Sequence, residues 1–446
     1  MKNPYMNYFH IEPNKGLLND PNGLVQFQGK YYFFYQWNRF ATNHDYKEWG
    51  LFTSSDMIHW ESIGSALLPD SFDDKDGVYS GSAIENDGKI FLFYTGNTKI
   101  NGNRKSYQKT AISTDGKTFV KQKESIETPV VFSEHHRDPK VWKVGDVWWM
   151  IVGAQTVENE GAISLFISSD LKTWVYQGIV YTDPILDQMC ECPDYFKLVD
   201  GTEILTVCPQ KRSHYQESDI DISSYAGYII GKMNYESKRF EPTESLKLLD
   251  EGFDFYAPQS FLDNKGRRIV TGWMSRMSEK QEAYLPTQSF GYVHCLTLPR
   301  VVTFEHGKLK QNPIEEIHQL RSDKQMVKHS FNLPTAQFEI EFSTSNEFQL
   351  FLRDKNVIIS YNLTNKMFVV CRKDWMTEKY DNRSKKINKL RNIRIIADTS
   401  AMEIFLNDGE FVFSLRYFTT NTALGAIFVG ENTLTLYNLG GSTHDK

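Results

Sequence analysis

Several things are scarce in this 446-residue chain, and each shortage removes a class of explanation. Cysteine occurs five times, at Cys190, Cys192, Cys208, Cys295 and Cys371. So sparse and odd a count argues against a disulfide scaffold and for a reducing, cytoplasmic setting. Cys190 and Cys192 form a C-x-C pair, but no second pair with zinc spacing follows, so no metal site is expected. No apolar run approaches the roughly 20 residues needed to span a bilayer, and the start Met1-Lys2-Asn3-Pro4-Tyr5 has no apolar signal segment, so no membrane association is expected. A basic surplus is also missing. Lys plus Arg number 50 against 56 Asp plus Glu, a net charge of −6, so nothing supports a nucleic-acid partner.

What the chain does have is aromatic residues (30 Phe, 23 Tyr, 9 Trp) and a repeat. Five times an acidic or small polar cluster precedes an apolar run, a Gly-centred turn and a second apolar run. The copies begin at Asn19-Asp20-Pro21-Asn22-Gly23, Tyr79-Ser80-Gly81-Ser82, Arg137-Asp138-Pro139-Lys140, Glu191-Cys192-Pro193-Asp194 and Tyr256-Ala257-Pro258-Gln259. Counted from Pro21, Gly81, Pro139, Pro193 and Pro258, they stand 60, 58, 54 and 65 residues apart. A period of this size, built from short strands, implies radially arranged small sheets, as in a β-propeller. Asp20, Asp138 and Glu191 fall at nearly the same place in their copies, so rotational symmetry would gather them around one axis.

Within each copy the pattern is strand, turn, strand. Gly23–Phe27, the turn Gln28-Gly29-Lys30 and Tyr31–Tyr35 form the clearest hairpin, echoed around Asn86-Asp87-Gly88. A later echo places an aromatic four residues after Asp56, Asp115 and Asp170; these carboxylates are expected to shape turns rather than do chemistry. The pattern breaks near Gln311. Residues 313–321 read as a short helix opened by Pro313, and from about 326 alternating segments read as an antiparallel β-sandwich. The expected organisation is all-β: a five-bladed propeller over 1–310, a helical linker over 311–325 and a sandwich over 326–446.

Paired carboxylates suit hydrolysis of a glycosidic bond, where one attacks carbon or activates water and the other protonates the leaving oxygen. Asp20, in a tight Pro-Asn-Gly turn with nearby amide donors, is expected to stay ionised. Glu191, flanked by Met189, Cys190 and Cys192, has less polar neighbours and suits a general acid. Arg137 beside Asp138 is expected to hold that carboxylate charged.

These residues carry a resemblance to glycoside hydrolase family 32, the invertase and fructanase group. Asn19-Asp20-Pro21-Asn22-Gly23, Phe34-Tyr35-Gln36, Trp49, Ser80-Gly81-Ser82, Arg137-Asp138-Pro139, Glu191-Cys192-Pro193, Gly272-Trp273-Met274, Leu298-Pro299-Arg300 and Gln311-Asn312-Pro313 match in order along the whole chain. The resemblance implies a five-bladed propeller followed by a sandwich and a retaining β-fructofuranosidase. Asp20 would be the nucleophile, Glu191 the acid/base and Asp138 a transition-state stabiliser. Retention implies carboxyls of Asp20 and Glu191 about 5–5.5 Å apart. Asn19, Gln36, Trp49, Tyr79, Ser80, Arg137 and Trp273 would line a fructose pocket, with a small sugar as partner and no metal or organic cofactor.

His44-Asp45-Tyr46-Lys47-Glu48-Trp49 departs from the secreted members and is similar to the bacterial sucrose-6-phosphate hydrolase subgroup. His44 and Lys47 would then stand at the pocket mouth, where a lysine suits a dianionic phosphate. Arg39, Arg104, Lys105, Lys211 and Arg212 are further candidates for that phosphate. The alternatives are an exo-acting fructan β-fructosidase and, in another class, a non-catalytic sugar-binding propeller.

Overall fold

A computed structural model describes residues 3–210 and 225–440; Lys211 and Arg212 lie outside them. The described chain is all-β, with one short α-helix, Glu279–Ala283, and three 3-10 turns. Among the described residues no helix is long and apolar enough to cross a membrane.

Five sheets follow one another in sequence, each starting with one copy of the repeat. Their first strands are Gly16–Phe27, Val78–Asn86, Phe132–Val144, Met189–Lys197 and Tyr256–Leu262. Each first strand touches the next, and Tyr256–Leu262 returns to touch Gly16–Phe27, so the five close a circuit. Later in the chain Tyr292–Val293 joins the first sheet, pairing parallel to Gly16 and Leu17. Two-residue turns connect the first two strands of the leading sheets. Phe27 pairs with Lys30 across Gln28 and Gly29, at φ 48° and 80°. Asn86 pairs with Lys89 across Asp87 and Gly88, at φ 51° and 69°. Positive φ at both central positions is the turn geometry that matches strand twist.

The motif Asn19-Asp20-Pro21-Asn22-Gly23 is not a turn. It lies inside the strand Gly16–Phe27, where the register shifts between Leu18 and Pro21 and again between Asn22 and Val25. The other four first strands shift register at their own copies of the motif. Asp138, Cys192 and Ala257 take positive φ there (71°, 45° and 47°). A bulge bends a strand and re-aims its side chains, so two successive residues can serve the axis instead of alternating across the sheet. Asp56, Asp115 and Asp170 behave as expected: each accepts two backbone N–H bonds from the residues just after it.

The strand Lys308–Pro313 pairs with Arg300–Glu305, carrying the fifth sheet past the expected boundary at 310. The expected helix is a 3-10 turn, Glu315–Leu320, and Ser322–Val327 is already an edge strand of the sixth sheet. Two six-stranded sheets form the C-terminal part and enclose a core including Phe338, Ile340, Leu350, Ile359, Phe368, Ile395, Ile404, Phe413 and Leu436. The strand Ala401–Leu406 is buried on both faces because its other side covers the first and fifth sheets, with Phe405 in their core.

Polar groups also cross this contact. Arg300 of the fifth sheet is fully buried and reaches Glu403 (2.8 Å), Asp250 (3.1 Å) and Ser414 (2.5 Å). His10 lies between Asp398 (3.0 Å) and Glu403 (3.1 Å). Backbone amides of Tyr8, Phe9 and His10 donate to Asp398 as well.

Candidate active site

The bulges bring residues of all five first strands together. Cys192 joins two of the carboxylates: its backbone N–H donates to Asp138 Oδ2 at 2.9 Å, and its thiol lies 3.5 Å from that oxygen and 3.8 Å from Asp20 Oδ2. Asp20 accepts from the Ser80 hydroxyl at 2.5 Å and from the Asn19 amide at 3.2 Å. Its donors are therefore side chains from three sheets, not the backbone amides of a turn.

Glu191 is partly buried, and its spatial neighbours are not its sequence neighbours. Arg137 Nη2 donates to Oε1 and the Tyr256 hydroxyl donates to Oε2, both at 2.6 Å. Burial, and then the Glu191 charge, push the Tyr256 phenol well up, which keeps it a donor. Cys190, by contrast, packs in the core between the third and fourth sheets.

Adjacency to Arg137 is not what governs Asp138. Burial pushes its carboxyl up to about 7, nearby Glu191 and Asp20 add to that, and Arg137 only partly opposes it. The guanidinium is spent on Glu191; its Nε stays 3.9 Å from Asp138.

Around these acids, Asn19 donates to Gln36 Oε1 at 2.8 Å. Trp49 is fully buried against Phe34 and Tyr94 and acts from behind the wall, its indole donating to the Tyr79 carbonyl at 3.0 Å. Trp273 lies edge-on to both His44 and His294, and its indole N–H is buried without an acceptor.

The expected phosphate candidates separate. Lys47 is only 9 % exposed, its ammonium already bonded to Asn19 Oδ1 (2.7 Å) and His44 Nδ1 (3.0 Å), and burial pushes it down to about 8. Arg39 is engaged by Glu48 and Ser65. Arg104 has no acidic partner among the described residues and sits over the Tyr79 ring, with Nη2 3.5 Å from its hydroxyl.

Two residues escape the sequence reading. Tyr256 heads the fifth copy two places before Pro258, as Glu191 does before Pro193, so the repeat register was its signal. Glu282, in the short helix Glu279–Ala283, meets His44 Nε2 at 3.0 Å, and no motif marks it. Among the described residues no group of three His, Cys, Asp or Glu is arranged to hold a metal ion.

Comparisons with known proteins place the chain in a family. Residues 10–313 match the glycosyl hydrolases family 32 N-terminal domain, and residues 305–443 match the family 32 C-terminal domain. Sucrose-6-phosphate hydrolase of Bacillus subtilis (strain 168) is 35% identical over 434 residues, covering 93% of this chain and 89% of the relative. That of Salmonella typhimurium is 37% identical over 417 residues, covering 92% and 88%. Among solved structures, sucrose-6-phosphate hydrolase from Lactobacillus gasseri superposes with a TM-score of 0.90 at 29% identity, covering 98% of this chain and 94% of that one. A family 32 β-fructofuranosidase from Bombyx mori gives 0.83 at 27% identity, with the same coverage.

Proposed function

The chain belongs to family 32 of the glycosyl hydrolases and is a glycoside hydrolase; from that premise we propose that it cleaves the β-fructofuranosyl bond of sucrose 6-phosphate and of sucrose through a fructosyl-enzyme formed on Asp20. The observation that carries the reading is the meeting of three carboxylates with unlike surroundings: Asp20 on Ser80 and Asn19, Glu191 between Arg137 and Tyr256, and Asp138 buried against Cys192.

In this reading the Asp20 carboxylate attacks the anomeric carbon of the fructosyl unit. The bond to the leaving oxygen breaks as Glu191 delivers its proton. Glu191 then removes a proton from water, which attacks the same carbon, releases fructose and restores both carboxyls. Two displacements at one carbon retain configuration. Asp138 accepts from fructose hydroxyls. The architecture supporting this is a five-bladed β-propeller followed by a β-sandwich, a reading that rests on the closed circuit of first strands. Five free thiols fit a reducing cytoplasm.

The phosphate of sucrose 6-phosphate would meet the guanidinium of Arg104, beside Tyr79. The test is kcat/KM for sucrose 6-phosphate against sucrose in the parent enzyme and in Arg104→Ala. A preference above about tenfold, or roughly 1.4 kcal/mol, that collapses in the variant supports the phosphate site. Equal rates on both sugars would move the substrate to sucrose and short fructo-oligosaccharides.

A further inference from the structure

Lys47 stands where the sequence suggested a phosphate ligand, but the structure gives its ammonium other work. An ammonium has three N–H donors and no acceptor. One goes to Asn19 Oδ1 at 2.7 Å and one to His44 Nδ1 at 3.0 Å. The first of these fixes the Asn19 amide. With Oδ1 committed to Lys47, Nδ2 must face the other way, where it donates to Asp20 Oδ1 at 3.2 Å and to Gln36 Oε1 at 2.8 Å. Were the amide to turn over, its oxygen would face the Asp20 carboxylate and the Gln36 oxygen, two acceptors with nothing to donate.

The chain of contacts continues outward. Because His44 Nδ1 accepts from Lys47, the hydrogen of a neutral His44 sits on Nε2, which meets Glu282 Oε1 at 3.0 Å. Glu282 is itself anchored in the fold. The adjacent Gln281 donates to Asp374 at 3.1 Å, and Trp375 Nε1 donates to the Gln281 carbonyl at 3.1 Å, both from the C-terminal sandwich. A carboxylate held by the sandwich thus orients a histidine, which orients a lysine, which orients the amide beside Asp20.

We propose that Lys47, with Glu282 acting through His44, is a positioning residue that sets the Asn19 amide on the Asp20 carboxylate, and so serves every fructosyl substrate rather than phosphorylated ones alone. The proposal rests on Asp20 being the nucleophile. A lysine placed for phosphate would show in KM and only with the phosphorylated sugar. One placed for the nucleophile shows in kcat with both.

The deciding experiment measures kcat and KM of Lys47→Met, a variant of similar length without the donors, on sucrose and on sucrose 6-phosphate. Expected is a fall in kcat of roughly 10- to 100-fold on both sugars, the range for a lost charge-assisted hydrogen bond. Asn19→Ala and the double variant complete a cycle. If Lys47 acts through Asn19, adding Lys47→Met to Asn19→Ala changes kcat little further. Glu282→Met should lower kcat on both sugars by a smaller factor. Lys47→Leu, also without donors, replaces Lys47→Met if the latter fails to fold. A loss confined to sucrose 6-phosphate and to KM, or unchanged kcat on both sugars, overturns the proposal. Asp20→Asn separates the two readings: if it keeps turnover, the nucleophile assignment falls with this one. If it is inactive while the Lys47 variants match the parent, only the positioning role is lost.

Discussion

Arg137 and Glu191, far apart in sequence, form a largely buried ion pair with Nη2 2.6 Å from Oε1, while Asp138, Arg137's immediate neighbour, stays 3.9 Å from the guanidinium Nε. The pairing across sheets, not the adjacency in sequence, sets the charge balance of the site. Glu191 is thereby held in place at both oxygens, with Tyr256 on the other. If Glu191 is the acid, Glu191→Ala should cut turnover of sucrose by the 10²- to 10⁴-fold typical of general acid catalysis. Fructosides with an activated aryl leaving group should recover much of it, since they leave without a proton. Steady-state rates across a series of leaving groups check this; a uniform loss would remove the acid role from Glu191.

The raised Asp138 carboxyl connects activity to stability. A carboxyl whose folded value lies above its unfolded one costs stability once pH exceeds the unfolded value, here 3.8, and the cost is complete above about 7. Asp138→Asn should therefore raise Tm at pH 8 and leave it nearly unchanged at pH 4. The same variant should lose the limb of kcat/KM that rises toward pH 7. Thermal melts and pH–rate profiles on one preparation test both halves.

His10 gives the opposite sign. Burial disfavours its charged form, but the bonds and charges of Asp398 and Glu403 prevail and raise it to about 9 from 6.5. Its stabilisation is fully present below pH 6.5 and is lost as pH rises through about 9. Tm should fall across that window in the parent and stay flatter in His10→Gln, read by calorimetry at half-unit pH steps.

Arg300 is the ionic centre of the contact between the fifth sheet and the C-terminal sheets. Arg300→Met takes the ion pair from the buried Asp250 carboxylate and leaves Glu403 with His10 alone. A loss of about 3–5 kcal/mol is expected for one partner removed from a buried pair. Denaturant melts measure it. Restoring most of that stability with Arg300→Met combined with Asp250→Asn and Glu403→Gln would show that the unpaired charges, not lost packing, carry the cost.

Much of this arrangement is legible in the chain. The spacing of Pro21, Gly81, Pro139, Pro193 and Pro258 places one copy at the head of each of five sheets. Gln28-Gly29 and Asp87-Gly88 name their own turns, because only residues tolerant of positive φ fit there. The copies even register the site: the residues one and two places before those reference positions include Asp20, Asn19, Ser80, Asp138, Arg137, Glu191 and Tyr256. Asn19-Asp20-Pro21-Asn22-Gly23 was misleading as a turn because its composition also suits a bulged strand, and local residues cannot tell the two apart until a neighbouring strand fixes the register.

The sequence by itself determined the repeat, the strand pattern and which carboxylates share an axis, since those follow from local periodicity and turn chemistry. The tertiary structure alone decided their electrostatics: that Arg137 serves Glu191, that Asp138 is raised by burial, and that Lys47 bonds inward to Asn19. Charge–charge and desolvation energies depend on distance and burial in three dimensions. Residues from five sheets and, through Glu282, from a segment anchored by the sandwich acquire those distances only when the chain has closed.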